Sequence, residues 1–77
     1  MPDYTMVMET NDHCYIRPQP SRDSGTAGEL PAGVRVMADT STVDGGQHDQ
    51  GNKWYPVHFQ GEPAAEGFIA DYLLRVV

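Results

Sequence analysis

Apolar residues recur at alternate positions in several short segments of this chain. Tyr4, Met6 and Met8 show the period of two that is typical of a strand with one buried face. The segment 34–38 repeats this alternation after a turn at Gly33, where a positive φ is expected. Eight glycines and six prolines divide the rest of the chain into short pieces, which favours turns and strands over long helices. The pattern predicts an all-β fold.

An irregular excursion is predicted between two of these strands. Residues 14–17 read as a short strand, but Pro18 and Pro20 follow at once. Proline cannot donate to a strand ladder and forces its preceding residue into extended geometry, so the strand must end there. We therefore expect an ordered, non-repetitive segment from residue 18 to residue 28.

Residues 39–53 have almost nothing to bury and contain several turn-forming residues. Segments of this length without regular structure are uncommon in compact domains unless they are functional or disordered. The composition predicts a long, mobile, polar loop. Two interpretations stay open, a loop without a binding role and a loop that contacts a partner.

Alternation divides the predicted strand 54–59 into two faces. The core face holds Tyr55, Val57 and Phe59. The opposite face holds Trp54, Pro56 and His58. An indole, a proline and an imidazole are an odd set for core packing but suit a binding platform. The alternative is that Trp54 lies half-buried against Pro18 or Pro20.

Five blocks occur in an order that matches one kind of small β module. They are Tyr15-Ile16-Arg17 with Pro20-Ser21, the run 28–36 with Gly28 and Gly33, Trp54-Tyr55-Pro56-Val57, Gly67-Phe68-Ile69, and Asp71-Tyr72-Leu73. In this order the blocks resemble the bacterial Src homology 3 domains. The resemblance covers residues 15–73, which is nearly the whole chain.

The resemblance implies a small SH3-like barrel of five to six strands. A single 3₁₀ turn would lie near Asp71-Tyr72, and the last strand would pair with the first. Residues 18–28 would correspond to the RT loop of these domains, and residues 39–53 would stand at the n-Src loop position.

The resemblance also implies a non-catalytic binding module that recognises a peptide or a protein. Its ligand face would comprise Tyr15, Trp54, Pro56 and Tyr72. Asp23 and Glu29 would make secondary acidic contacts with basic residues of a proline-rich ligand. A polyproline helix suits such a face because it is ordered before it binds.

Length and charge restrict the possible partners. A chain of 77 residues forms one domain, residues 1–77, with a small core. Eleven acidic against five basic residues leave a net charge of −6, which repels nucleic acid phosphates and anionic membrane surfaces. We therefore expect no nucleic acid and no membrane partner. A cell-wall ligand would have to be a peptide or a sugar.

Catalytic and metal chemistry are not indicated. Cys14 is the only cysteine, so an internal disulfide is impossible, and burial is its expected state. His13 and Cys14 are adjacent on a predicted strand, so their side chains point to opposite faces. The three histidines lack zinc-ligand spacing. The sequence predicts no enzyme, no metal and no cofactor.

Three functions remain in competition. The first is a peptide- or protein-binding adaptor, and the second is a module that targets a hydrolase to peptidoglycan through a wall peptide. The third is a small inhibitor or subunit, such as a phage might encode. The start of the chain lacks the features of a secretory signal. We expect a cytoplasmic location for a full-length protein and the cell envelope for a fragment of a wall-targeted one.

The predicted pairing of the last strand with the first gives a test. Deleting residues 75–77 should lower the melting temperature markedly, because it removes most of the strand that would pair with the first and close the barrel. An unchanged melting temperature for the truncated domain would contradict this topology.

Overall fold

The computed structural model describes residues 3–77 and confirms the all-β fold class. Its elements are β1 Tyr4–Thr10, β2 Cys14–Ile16, β3 Gly28–Leu30, β4 Arg35–Asp39, β5 Val43–His48, β6 Gly51–Phe59, β7 Ala65–Ala70, a 3₁₀ turn Asp71–Leu73 and β8 Leu74–Val76. The 3₁₀ turn lies where it was predicted. The strands number eight rather than five to six, and β5 lies in a segment for which no strand was predicted.

The strands form two antiparallel sheets. Six strands make the larger sheet in the order β5-β6-β4-β1-β8, with β7 also paired to β6. β2 and β3 form the smaller sheet, and a bridge between Arg17 and Phe68 joins it to β7. β8 pairs with β1, which confirms the predicted contact between the last strand and the first. Within residues 3–77, no helix is long and apolar enough to cross a membrane.

The core is small and mostly aliphatic. Its buried members are Met8, Cys14, Ile16, Leu30, Val36, Ala38, Val57, Ile69 and Leu74. The alternation predicted for β1 and β4 is confirmed, since the buried residues of each strand share one face. Tyr55 and Phe59 are partly buried against this core, as predicted. The free-energy gain comes from removing these side chains from water.

Thr10 is a buried polar residue that fixes the turn between β3 and β4. Its hydroxyl donates to the Pro31 carbonyl at 2.7 Å and accepts from the Val34 amide at 3.0 Å. Its own carbonyl accepts from the Gly33 amide at 2.9 Å. Gly33 has a φ of +82°, the positive value expected there. The buried hydroxyl therefore both donates and accepts a hydrogen bond, so its burial costs little.

The prediction of a mobile loop at residues 39–53 is wrong, because most of this segment is a β-hairpin. β5 and the start of β6 pair antiparallel, for example Asp44 opposite Lys53. The Gly46 amide donates to the carbonyl of Pro20 at 2.8 Å, which ties the hairpin to the excursion 18–27. The hairpin packs through its backbone rather than through apolar side chains. A polar composition therefore concealed an ordered element.

The C-terminal strand contributes mainly through its backbone. Leu74 is buried, but Val76 and Val77 are 65% and 56% exposed. The strand is therefore joined to β1 by main-chain pairing, with Met8 opposite Val76. Leu73 belongs to the 3₁₀ turn rather than to the strand.

The approach of β5 to its neighbours can be tested at two adjacent glycines. A Cβ at Gly45 would overlap the Pro20 carbonyl oxygen and lie 2.8 Å from Cδ1 of Trp54, whereas a Cβ at Gly46 would lie 3.3 Å from Oγ of Ser21. Gly45→Ala should lower the free energy of unfolding by about 2 kcal/mol, as overpacking does. Urea unfolding followed by tryptophan fluorescence measures this.

Gly46→Ala is the matched control, because its methyl group needs only a shift of a few tenths of an ångström. We expect it to cost clearly less than Gly45→Ala. Equal stabilities for the two variants would show that β5 does not press against Trp54 as described.

Candidate functional site

A cavity of about 380 Å³ lies where the excursion, the β5–β6 hairpin and the 3₁₀ turn meet. Its lining residues are Asp12, His13, Cys14, Tyr15, Arg17, Arg22, His48, Asp49, Trp54, Ala70, Tyr72 and Leu73. The volume is within the range of small-ligand pockets in proteins. Three of the four residues predicted for the ligand face are among them, namely Tyr15, Trp54 and Tyr72.

Tyr15 and Tyr72 form the accessible aromatic part of the cavity. Tyr15 is 40% exposed and Tyr72 is 38% exposed, so both residues are accessible to solvent. Tyr15 comes from β2 and Tyr72 from the 3₁₀ turn, so two separate parts of the chain supply the pair. The sequence predicted both residues, and the structure brings them to one cavity.

Trp54 contradicts the prediction of an exposed platform. Only 2% of this residue is exposed, so Trp54 is also more deeply buried than the alternative prediction, in which it was half-buried. Its Nε1–H donates to the Gly46 carbonyl at 2.8 Å, so the hairpin covers the indole and satisfies its polar group. Trp54 therefore contributes to the cavity as a fixed wall. An open stacking surface would require the hairpin to leave.

Pro56 does not line the cavity. It is buried in β6, two residues beyond Trp54, and pairs with Phe68 of β7. His58, predicted on the same face, lies with its ring 5.8 Å from that of Tyr4, at another place on the surface. The face that alternation assigned to these residues is therefore divided, and only its first member reaches the cavity.

His48 is a site residue that the sequence did not indicate. It is 5% exposed, and its ring lies 5.3 Å from that of Trp54 and 5.1 Å from that of Tyr72. Its position in a polar segment gave no sign of burial. The histidine therefore couples the tryptophan wall to the exposed tyrosine.

The hydrogen bonds of His48 define its neutral tautomer. The Gln50 amide donates to Nδ1 at 3.0 Å, so the ring proton is on Nε2, which donates to the Lys53 carbonyl at 2.9 Å. Nε2 also lies 3.3 Å from Oδ1 of Asp71. That oxygen is buried without a hydrogen bond, because the Nε2 proton is directed to the carbonyl. The contact is electrostatic.

The charged residues of the cavity differ from those predicted. Asp23 is exposed and does not line it, and Glu29 does not line it either but contacts His13, which does. The carboxylates that do line it are Asp12 and Asp49. Sequence reasoning placed acidic contacts on the excursion because of its similarity to an acidic RT loop. The hairpin tip, unpredicted as an ordered element, supplies one of the two instead.

Three contacts define the rim, one ion pair and two contacts to the Tyr15 ring. Arg22 on the excursion lies 3.3 Å from Asp49 at the hairpin tip, so this pair joins the two sides. The Arg17 guanidinium is 4.9 Å from the centroid of the Tyr15 ring, and His13 meets the same ring edge-on at 5.1 Å. Tyr15 is therefore contacted by a cation and by an imidazole.

The Cys14 thiol at the cavity is not activated for nucleophilic chemistry. Burial raises the pKa of the Cys14 thiol to about 11, and the nearby charge of Asp12 adds to this effect. A protonated thiol is a poor nucleophile. In the part of the chain that the structure describes, residues 3–77, no three His, Cys, Asp or Glu side chains form a group able to hold a metal ion.

Comparison of the chain with protein-family models, with curated proteins and with solved structures found no match. The resemblance to bacterial Src homology 3 domains therefore stays a prediction. Inferences about function have to come from the cavity and its residues.

The buried thiol gives a test of how tightly the cavity is closed beneath its rim. At pH 8, a thiol with a pKa of about 11 should carry roughly a hundredfold less thiolate than an unfolded one. We expect a disulfide reagent to label Cys14 at least about a hundredfold more slowly in the native domain than in guanidinium chloride. Absorbance of the released thiolate measures the rate.

The sign of the pKa change also predicts a pH effect. The pKa of the Cys14 thiol is higher in the folded domain than in the unfolded chain. The free energy of unfolding is therefore unaffected by this thiol below about pH 9 and decreases as pH rises through about 11. Equal labelling rates in the native and unfolded states at pH 8 would contradict the closed packing around Cys14.

Proposed function

We propose that this domain is a non-catalytic binding module that holds a peptide segment of a protein partner in the cavity between Tyr15 and Tyr72. The observation that carries the proposal is the pairing of two exposed tyrosines at an open cavity with a rigid wall. Tyrosine offers a large apolar surface together with a polar hydroxyl, which is why it is enriched in binding interfaces.

The rigidity of the cavity supports the proposal. The Asn11 amide donates to the Leu73 carbonyl at 2.8 Å, and its side-chain nitrogen donates to the Tyr72 carbonyl at 3.2 Å, so the 3₁₀ turn is fixed to the end of β1. Trp54 is fixed by its bond to Gly46. A site that is ordered before binding loses little conformational entropy when a ligand arrives.

The similarity to Src homology 3 domains supports the same class of ligand. An extended or polyproline segment is ordered before it binds and can place successive side chains against two separated aromatic rings. The predicted acidic contacts of Asp23 and Glu29 are not part of the proposal. Glu29 is occupied by His13, and Asp23 lies outside the cavity.

Selection from a random peptide display library tests the proposal. The immobilised domain should enrich a related set of sequences. Tyr72→Ala should weaken the binding of an enriched peptide at least about tenfold, or about 1.4 kcal/mol, because removal of an interface tyrosine commonly costs this much. Isothermal titration calorimetry with that peptide measures the affinity.

Tyr4→Ala is the matched control, since Tyr4 bonds to Glu66 on another part of the surface and does not line the cavity. Melting curves verify that both variants fold. Absence of any enriched sequence, or equal affinity of the wild-type domain and Tyr72→Ala, would refute the proposal. Sedimentation with insoluble peptidoglycan sacculi adds a separate arm, in which retention abolished by Tyr72→Ala would instead favour the wall-targeting function.

A further inference from the structure

Arg17 differs from the other basic residues in its electrostatic partners. In residues 3–77, each of the others has a carboxylate within ion-pair distance: Arg22 with Asp49, Lys53 with Asp44, and both Arg35 and Arg75 with Glu9. Arg17 is the one basic residue of this described part without such a carboxylate. The chain has eleven acidic residues against five basic ones, so a guanidinium without an acidic neighbour is unexpected.

The structure holds Arg17 firmly at the cavity. Its backbone amide donates to the Phe68 carbonyl, and its carbonyl accepts from the Phe68 amide, both at 2.8 Å. Its Nη1 donates to the Gly25 carbonyl at 2.8 Å, and its guanidinium lies 4.9 Å from the centre of the Tyr15 ring. These contacts fix both the main chain and the charged end of the side chain.

Most of the hydrogen-bonding capacity of this guanidinium is unused by the protein. An arginine side chain offers five N–H donors in a planar fork, and the bond to Gly25 uses one nitrogen. The half-buried residue lines the cavity, so its remaining donors are available beside Tyr15. A planar fork of this kind matches the two oxygens of a carboxylate.

The local charge does not oppose an anion. Two arginines, Arg17 and Arg22, and two aspartates, Asp12 and Asp49, line the cavity, so their formal charges cancel. The whole chain has a net charge of −6. The cavity is thus less negative than the average surface of the domain. The net charge of the whole domain favours neutral or cationic ligands, but the charges that line the cavity do not add to this effect.

From these contacts we infer that the peptide held in the cavity carries a carboxylate that pairs with Arg17. This inference rests on the proposed function and specifies its ligand as an acidic peptide. The carboxylate can come from an aspartate or glutamate side chain or from the end of a chain. The tyrosine ring beside the guanidinium then contacts the adjoining apolar part of the ligand.

Three synthetic pools of random hexapeptides separate the sources of the carboxylate. One pool has amidated ends and no acidic residues, a second has amidated ends with Asp and Glu, and a third has free carboxyl ends and no acidic residues. The immobilised domain is exposed to each pool, and mass spectrometry measures the retained fraction. We expect the second or the third pool to be retained at least about tenfold more than the first.

Substitutions assign this preference to Arg17. Arg17→Gln removes the charge and the planar fork but keeps a polar N–H donor, and it should abolish the preference. Arg17→Lys keeps the charge without the planar fork and should retain only part of it. Arg35→Gln is the matched control, because Arg35 lies exposed on β4, close to Glu9 and away from the cavity, and it should leave the preference unchanged.

The outcomes distinguish this inference from the proposed function. Equal retention of all three pools would overturn the carboxylate preference and leave the peptide-binding proposal intact. Retention of no pool would overturn both. Loss of the preference in Arg35→Gln as well as in Arg17→Gln would assign it to overall charge, which would overturn the role of Arg17.

Discussion

The covering of Trp54 by β5 is the interaction on which the candidate site depends. A chain of 77 residues has few large side chains to bury, and here the single indole is covered by the glycine backbone of β5 and by the His48 ring. The carbonyl of Gly46 accepts the indole proton, and Gly45 approaches too closely to tolerate a methyl group. This contact, the pairing of β5 with β6 and the Gly46–Pro20 hydrogen bond together hold the hairpin at the cavity.

From that anchor the order extends to the surface. His48 ends β5 and is placed against the tryptophan ring, with its two nitrogens held by backbone groups of Gln50 and Lys53. Its other side meets Tyr72. The buried His48 ring therefore links the buried Trp54 ring to the solvent-exposed Tyr72 ring through aromatic contacts. The 3₁₀ turn, bonded separately to Asn11, supports the same tyrosine from below.

Sequence reasoning predicted what depends on local periodicity. The alternation of β1 and β4 and the turn at Gly33 follow from side-chain pattern and turn chemistry. The 3₁₀ turn and the pairing of the two ends were expected only from the resemblance to bacterial Src homology 3 domains. It did not predict β5, because a strand that packs through glycine backbone has no apolar signature. Because β5 was not predicted, Trp54 was expected on an accessible face, and the burial of His48 was not expected. Arg17 was identified from the sequence as part of the block Tyr15-Ile16-Arg17. That it has no carboxylate within ion-pair distance depends on the folded structure and could not be predicted.

The pair formed by Arg22 and Asp49 has a consequence for access to the cavity. It is a direct side-chain link between the excursion and the hairpin tip, and both side chains are more than half exposed. Exposed ion pairs contribute between about 0 and 1 kcal/mol, which is comparable to thermal energy. The pair therefore opens and closes readily without disturbing either sheet, and added salt weakens it further. A ligand that extends across this part of the rim therefore displaces only a solvated ion pair and disturbs neither sheet.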